Sequence, residues 1–256
     1  MEEIAELPGL YYGLSIAAIR CEVSTLGSAD CALICRCDDG SDYAIKDQAK
    51  NAAMPHSEWF CTRLVEEAGI AAPTCRVVDV EGEKCFGSRW ETGHNPKDWW
   101  LRALAKEIDF ALLAPTISRI FAFDLFVNND DRHLNNYIVR EQHFGIAMLS
   151  FDFSRSWLCN GVPPPDLPMA GSTNTMMAIR FLLKEFGKFI IIEECNTVLD
   201  NLYFIGVEKV DDIIDEHPNE WLTNEQKDAV RNWWISPERL DRIAKIKEGI
   251  GNGTYL

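Results

Sequence analysis

The chain has 256 residues, 47% of them apolar and 11% aromatic, which is enough for one large core or two small lobes and excludes general disorder. Twenty-five basic against forty acidic residues leave a formal charge of −15, which repels phosphate backbones and anionic lipid at long range. No direct nucleic-acid partner and no membrane partner are therefore expected. The longest apolar runs, such as FIII at 189–192, fall far short of the roughly 20 residues of a helical membrane span. MEEIAELPG has no basic region ahead of an apolar stretch, so a cytoplasmic protein is expected. Nine cysteines, an odd number without a CxxC pair, argue against a disulfide framework. Cys31, Cys35 and Cys37 are the closest cluster. Cys35 and Cys37 share one face of a strand and read as small buried thiols, since no fourth ligand lies at zinc-like spacing.

Residues 18–46 read as strands and turns: IRCEV, the connection STLGSAD, CALICRC, the turn DDGS and DYAIK. Asp-Asp-Gly between two alternating runs signals a hairpin. SEWFCTRLVEEA at 57–68 sets Phe60, Cys61, Leu64, Val65 and Ala68 on one helical face, and Gly69 closes it. RVVDVEGEKCFGSRW predicts a second hairpin, turning at EGE. Beyond about residue 95 the period becomes helical. WWLRALAKEIDFALL predicts one helix, and Thr116, after Pro115, caps another that carries ISRIFAFDLF. YIV and MLSFDF predict short buried strands on either side of REQHFG. Three or four helices follow the proline-rich GVPPPDLP. Among them, Thr223 and Gln226 form a capping box and Ser236-Pro237 starts the last helix. Trp99, Trp100, Trp221, Trp233 and Trp234 suit packing between helices. The predicted fold is α+β and two-lobed, with a β-rich lobe over 1–90, a helical lobe over 91–256 and a cleft between them.

FAFDLFVNNDDRHLNNYIV at 121–139 crowds acids, Asn, Arg and His between two apolar segments. Asp131 and Asn136 are five apart, the spacing of the Asp and Asn in the kinase catalytic loop, where Asp takes the substrate hydroxyl proton and Asn holds a metal. Asp130 and Asn135 share that spacing. The later pair leaves Asn136 at the edge of the YIV strand and completes Asp-Arg-His-x-x-Asn. SFDFS then puts Asp152 after the second strand, as the metal-binding Asp-Phe-Gly segment does. Upstream, DYAIK ends in Lys46, a close match to Val-Ala-Ile-Lys. Glu58 lies in the same helical row as Cys61 and Val65 and so faces the buried side. Singly, Lys46 reads as a solvated strand-end lysine and Glu58 as a first-turn acid suited to the helix dipole. In this order with Asp131, Asn136 and Asp152 they read as one site.

NNDDRHLNN at 128–136, SFDFS at 150–154, YAIK at 43–46 and SEWFCTRLVEEAGIAAP at 57–73 together resemble the HipA-like kinase family and, more distantly, the phosphatidylinositol kinases. EHPNEWL at 216–222 belongs to the same likeness. The resemblance implies a protein-kinase-like two-lobed fold, ATP with Mg²⁺, and phosphorylation of Ser or Thr in proteins. It makes Asp131 the acceptor of the hydroxyl proton, with His133 beside it stabilising the loop. It makes Asn136 and Asp152 the Mg²⁺ ligands, and Lys46, paired with Glu58, the cation on the α and β phosphates. Arg89, Trp90 and Glu91 fall at the hinge that meets adenine. STLGSAD takes the place of the phosphate loop but carries one glycine, Gly27, where protein kinases have three. Some HipA-like enzymes phosphorylate a serine there, which marks Ser24, Thr25 and Ser28 as self-modification sites. Ser154 replaces the Gly of Asp-Phe-Gly, and no Ala-Pro-Glu is found. The lead before residue 18 is too short for the extra N-terminal subdomain of HipA toxins. An antitoxin-like regulator is an implied partner. A lipid or small-alcohol kinase, suggested by Asp-Arg-His-x-x-Asn, and a pseudokinase, suggested by the single-glycine loop, are the alternatives.

Overall fold

The computed structural model describes residues 14–24, 33–49, 51–91, 96–142, 145–156, 159, 161–167 and 169–256. Strands β1 (Ile16–Val23), β2 (Leu33–Cys37), β3 (Asp42–Lys46), β4 (Cys75–Val80) and β5 (Glu83–Arg89) close into a barrel in the order β1-β2-β3-β5-β4. The closing contact is parallel, with Ile16 opposite Val78. Alternation sends Cys35, Cys37, Tyr43, Ile45, Val78 and Cys85 inward to form a small core. The β4–β5 hairpin turns at Glu81 (φ 54°) and Gly82 (φ 93°), the consecutive left-handed residues a tight hairpin needs. Gly87 in β5 has a packing reason, because a Cβ there would lie 2.4 Å from Val78 Cγ2.

Cys35 departs from expectation. It is buried but not a free thiol, since the β1–β2 register sets Cys21 directly opposite and the two form a disulfide. Their separation of 14 residues says nothing of this pairing; the strand register does. Cys37 is a buried free thiol as expected, and Cys31 lies outside the described residues.

Helix α1 (Met54–Glu67) begins before Ser57, with Pro55 in its first turn, where a missing N–H costs nothing. Every residue from Met54 to Val65 is buried, because the helix lies between the barrel and the C-terminal helices. The helix predicted over WWLRALAKEIDFALL is broken. α2 (Pro96–Leu104) ends before Lys106, which adopts φ 60°, and a short 3-10 turn (Phe110–Leu112) follows, capped by Asp109 accepting from Ala111 N. Thr116 is not a cap either. α3 (Ala114–Val127) starts two residues earlier, and Pro115 in its first turn takes the place of a side-chain cap.

Strands β6 (Tyr137–Gln142) and β7 (Gly145–Ser150) form an antiparallel hairpin with Tyr137 opposite Ser150, which brings the residue before β6 beside those following β7. Five helices follow among the described residues where three or four were expected after the proline-rich segment: α4 (Asn174–Phe186), α5 (Ile192–Phe204), α6 (Val207–Asp215), α7 (Asn224–Ile235) and α8 (Pro237–Gly251). Gly187 (φ 74°) ends α4, and Gly206 separates α5 from α6. The Thr223–Gln226 capping box forms as predicted. The five tryptophans are buried in a core that runs through α1, α3 and the later helices. Strands first and helices after make the fold α+β, as the sequence suggested. No helix among the described residues is long and apolar enough to cross a membrane.

Candidate active site

Three elements distant in sequence meet at one ammonium group. β3 ends at Lys46, and its Nζ lies 2.5 Å from Glu58 Oε1 on α1 and 2.7 Å from Asp152 Oδ1 after β7. Glu58 is fully enclosed and also accepts from Phe153 N at 3.0 Å, so one carboxylate ties α1 to both partners. Burial alone would push the Lys46 ammonium down, but the carboxylates of Asp152 and Glu58 outweigh it and hold it above the ordinary lysine range. Burial pushes Glu58 up to about 7 against the pull of Lys46, and the second carboxylate, Asp152, adds to the rise. Asp152 goes the other way. Its burial would raise it, yet Lys46, a hydrogen bond from Ser154 and Arg132 keep it well below the usual carboxylate range.

Asp152 sits at φ 68°, a left-handed conformation costly for a residue with a Cβ. Such strain persists only when surrounding bonds over-determine it. Here Ser154 Oγ donates to Asp152 Oδ1 at 2.8 Å, and Asn129 Nδ2 reaches the Asp152 carbonyl at 3.4 Å. The serine that replaces the familiar glycine is therefore a donor to the aspartate two residues before it.

The loop after α3 is fixed from beneath. Asp124, fully buried within the apolar run IFAFDLFV, receives Arg132 Nε at 2.9 Å on one oxygen and Nη2 at 3.0 Å on the other. Asn129 Nδ2 adds a third bond at 3.0 Å. Arg132 then donates to the carbonyls of Asn136 (3.0 Å) and Phe151, one on each side of the β6–β7 hairpin. It is 1% exposed and so cannot meet a phosphate; its charge is spent on loop geometry. Asn128, at φ 51°, ends α3 and lets the chain reverse into this loop.

Asn136 Nδ2 donates to the Asp131 carbonyl at 3.1 Å, which leaves its Oδ1 as the acceptor a hard cation prefers. Asn136 and Asp152 sit on the two arms of one hairpin, so an anionic carboxylate and an amide oxygen are offered from neighbouring positions. That donor set fits Mg²⁺ sharing its shell with phosphates and water. No group of three His, Cys, Asp or Glu suited to a metal occurs among the described residues. Asp131 is half-buried and receives Asn174 Nδ2 of α4 on Oδ1. Asp130, in the competing register, is raised by burial and by Asp131 beside it, with Arg155 opposing. His133, half-exposed, accepts from Asn135 N at 3.2 Å, a bond internal to the loop.

Arg89 ends β5 exposed, Trp90 N donates to Asp42 O at 2.6 Å, and Glu91 pairs with Arg140 of β6. Ser24 follows β1. Thr25, Gly27 and Ser28 lie outside the described residues. Glu216 and His217 of EHPNEWL brace α1, through Arg63 Nε to Glu216 at 3.1 Å and His56 Nδ1 to His217 Nε2 at 2.8 Å, while Trp221 Nε1 donates to Lys84 O at 2.9 Å. Sequence reasoning missed Asp124 and Asn174, and named Ser154 only as a departure from Asp-Phe-Gly. Only Asp124 had a visible signal, a carboxylate inside the apolar run IFAFDLFV.

A family model described as HipA-like kinase matches residues 22–144, which hold Lys46, Glu58 and the whole Asp131–Asn136 loop. That segment, a little under half of the chain, is similar to the HipA-like kinase family. The match supports a kinase and, with it, general use of ATP. No curated protein sequence matches. Among solved structures, the Helicobacter pylori proinflammatory kinase CtkA is similar at a TM-score of 0.58 and 15% identity, covering 95% of this chain and 99% of that one. HipA, solved with HipB and operator DNA from Shewanella oneidensis, is similar at a TM-score of 0.50 and 12% identity, covering 81% of this chain and 60% of that one. Identities this low show shared fold alone. Asp152 and Phe153, beyond the matched segment, are joined to it through Lys46 and Glu58.

Proposed function

We propose that the chain is a Mg²⁺- and ATP-dependent protein kinase that phosphorylates Ser or Thr hydroxyls, including a serine or threonine of its own 24–28 loop. One observation carries the reading: Lys46, Glu58 and Asp152 converge from β3, α1 and the end of β7, and the Asp131–Asn136 loop is bonded to the same hairpin. In this reading Lys46 binds the α and β phosphates and Glu58 holds it in place. Asp131 orients the acceptor hydroxyl and takes its proton, with His133 shaping the loop. Asn136 and Asp152 hold Mg²⁺, which when bound neutralises charge on the phosphates. The backbone around Arg89, Trp90 and Glu91 meets adenine, where the 1–90 lobe passes into the 91–256 lobe. Most of the rate enhancement comes from position and electrostatics, because the loose transition state asks little covalent chemistry of the protein.

Mass spectrometry of the purified chain after incubation with ATP and Mg²⁺ tests this. A phosphorylated residue among Ser24, Thr25 and Ser28, absent in Asp131→Ala, is the expected result. Label from ATP that enters phosphoinositide and never protein would replace this reading with a lipid kinase, and ATP binding without turnover with a pseudokinase. The HipA neighbour was solved with HipB. We extend that arrangement to a protein regulator of antitoxin-like kind for this chain, to be sought by co-purification and checked by its effect on turnover.

A further inference from the structure

The start of α4 rests on the loop that carries Asp131. Thr173 caps the helix by accepting from Met176 N at 3.3 Å. Thr175, 1% exposed, makes three bonds to the loop: its N donates to Asp130 O at 3.3 Å, its Oγ1 donates to Asn129 O at 2.5 Å, and that oxygen accepts from Arg132 N at 2.9 Å. Between these two residues, Asn174 is exposed and sends its Nδ2 to Asp131 Oδ1. Thr175 thus fixes the helix end against the loop backbone, and the amide beside it reaches the carboxylate from a fixed origin.

We infer that Asn174 is a positioning residue for Asp131. A carboxylate rotates easily about its last torsion, so a base with both oxygens unheld samples many orientations. Asn174 holds one oxygen and leaves the other to receive the hydroxyl proton. The inference rests on the reading of Asp131 as the proton acceptor.

The test uses the full chain and follows ADP formation from ATP with excess Mg²⁺, together with label incorporated into the chain. Asn174→Ala should lower kcat about 10- to 100-fold, the range for losing one hydrogen bond to a charged group, while KM for ATP stays nearly constant. Asn174→Gln, which keeps the donor, should restore part of the loss. Asn174→Asp separates positioning from structure. An acid in the first helical turn suits the dipole and should keep or raise the melting temperature, yet it sets carboxylate against carboxylate and should lower kcat at least as far as alanine does. Wild-type kcat in the Ala or Asp variant overturns the inference, as does a fall in kcat that only follows a fall in melting temperature. If the unaltered chain forms no ADP, the kinase reading itself fails and takes this inference with it. An active chain with an indifferent Asn174 overturns this inference alone.

Discussion

Two buried ionic clusters lie within one hairpin of each other, and they are built to opposite plans. Asp124 and Arg132 form a neutral pair in which both carboxylate oxygens and all three guanidinium nitrogens are engaged, with Asn129 Nδ2 adding a bond to Asp124. Lys46, Glu58 and Asp152 instead place two carboxylates on one ammonium, and Asp152 occupies a strained backbone conformation. A closed pair removed from water serves as a fixed joint, since any change of partner exposes an unsatisfied charge. A cluster with one carboxylate in excess is suited to receive a further cation. The first sets loop shape, and the second is open to exchange.

The contrast breaks most severely at Asp152. Asp152→Asn should reduce phosphoryl transfer at least about a thousandfold, because a charge aimed at the phosphates and their metal is gone. Stability should change by no more than about 1 kcal/mol, since Lys46 keeps Glu58. Radiolabel transfer and urea unfolding measured on one preparation would check both halves, and a variant that transfers at the wild-type rate would contradict the metal assignment.

The fixed joint should give the reverse profile. Asp124→Ala leaves Arg132 charged and enclosed without its partner, at a cost of about 3–5 kcal/mol. Urea midpoints should fall accordingly, and activity should be lost with the fold. A midpoint within 1 kcal/mol of wild type would mean that water or another carboxylate replaces Asp124.

The smallest effect concerns the brace behind α1, two residues from Glu58. His217 Nδ1 contacts Pro218 O at 2.8 Å and its Nε2 faces His56, with the Lys227 ammonium nearby. Burial holds His217 down at about 4, and burial, with His217 and Lys227 adding to it, keeps His56 low as well. The unfolded chain, with His near 6.5, binds protons that the folded chain refuses. This contribution to stability is therefore complete above about pH 6.5 and is lost on acidification toward pH 4. His217→Gln should flatten that slope in melting temperature against pH. An unchanged slope would place the acid sensitivity in another group.

Several parts of this organisation were legible from the chain alone. DYAIK alternates and ends in a lysine at a strand terminus, and β3 runs from Asp42 to Lys46. The row of Glu58, Cys61 and Val65 predicted an inward carboxylate, and Glu58 is 1% exposed. Asp131, Asn136 and Asp152 could be ordered by spacing because the first two share one short loop and a hairpin joins Asn136 to Asp152. Asn174 could not, since STNT reads only as a helix start and its target lies 43 residues back. Thr116 misled because a threonine after a proline suits a cap as well as a first turn.

The sequence by itself determined the local periods: strands from alternation, helices from apolar rows, turns at Asp38–Gly40 and Glu81–Gly82, the close of α1 at Gly69, and the spacing of the loop motif. Those depend on residues a few positions apart, where backbone geometry fixes the contact. Only the tertiary structure decided which charges became partners, joining Lys46 to Asp152 across 106 residues, Arg132 to Asp124 in the core, Cys21 to Cys35 by strand register, and Asn174 to Asp131. Such pairings follow from how elements pack, because a buried charge takes whichever counter-charge the folded chain brings within reach.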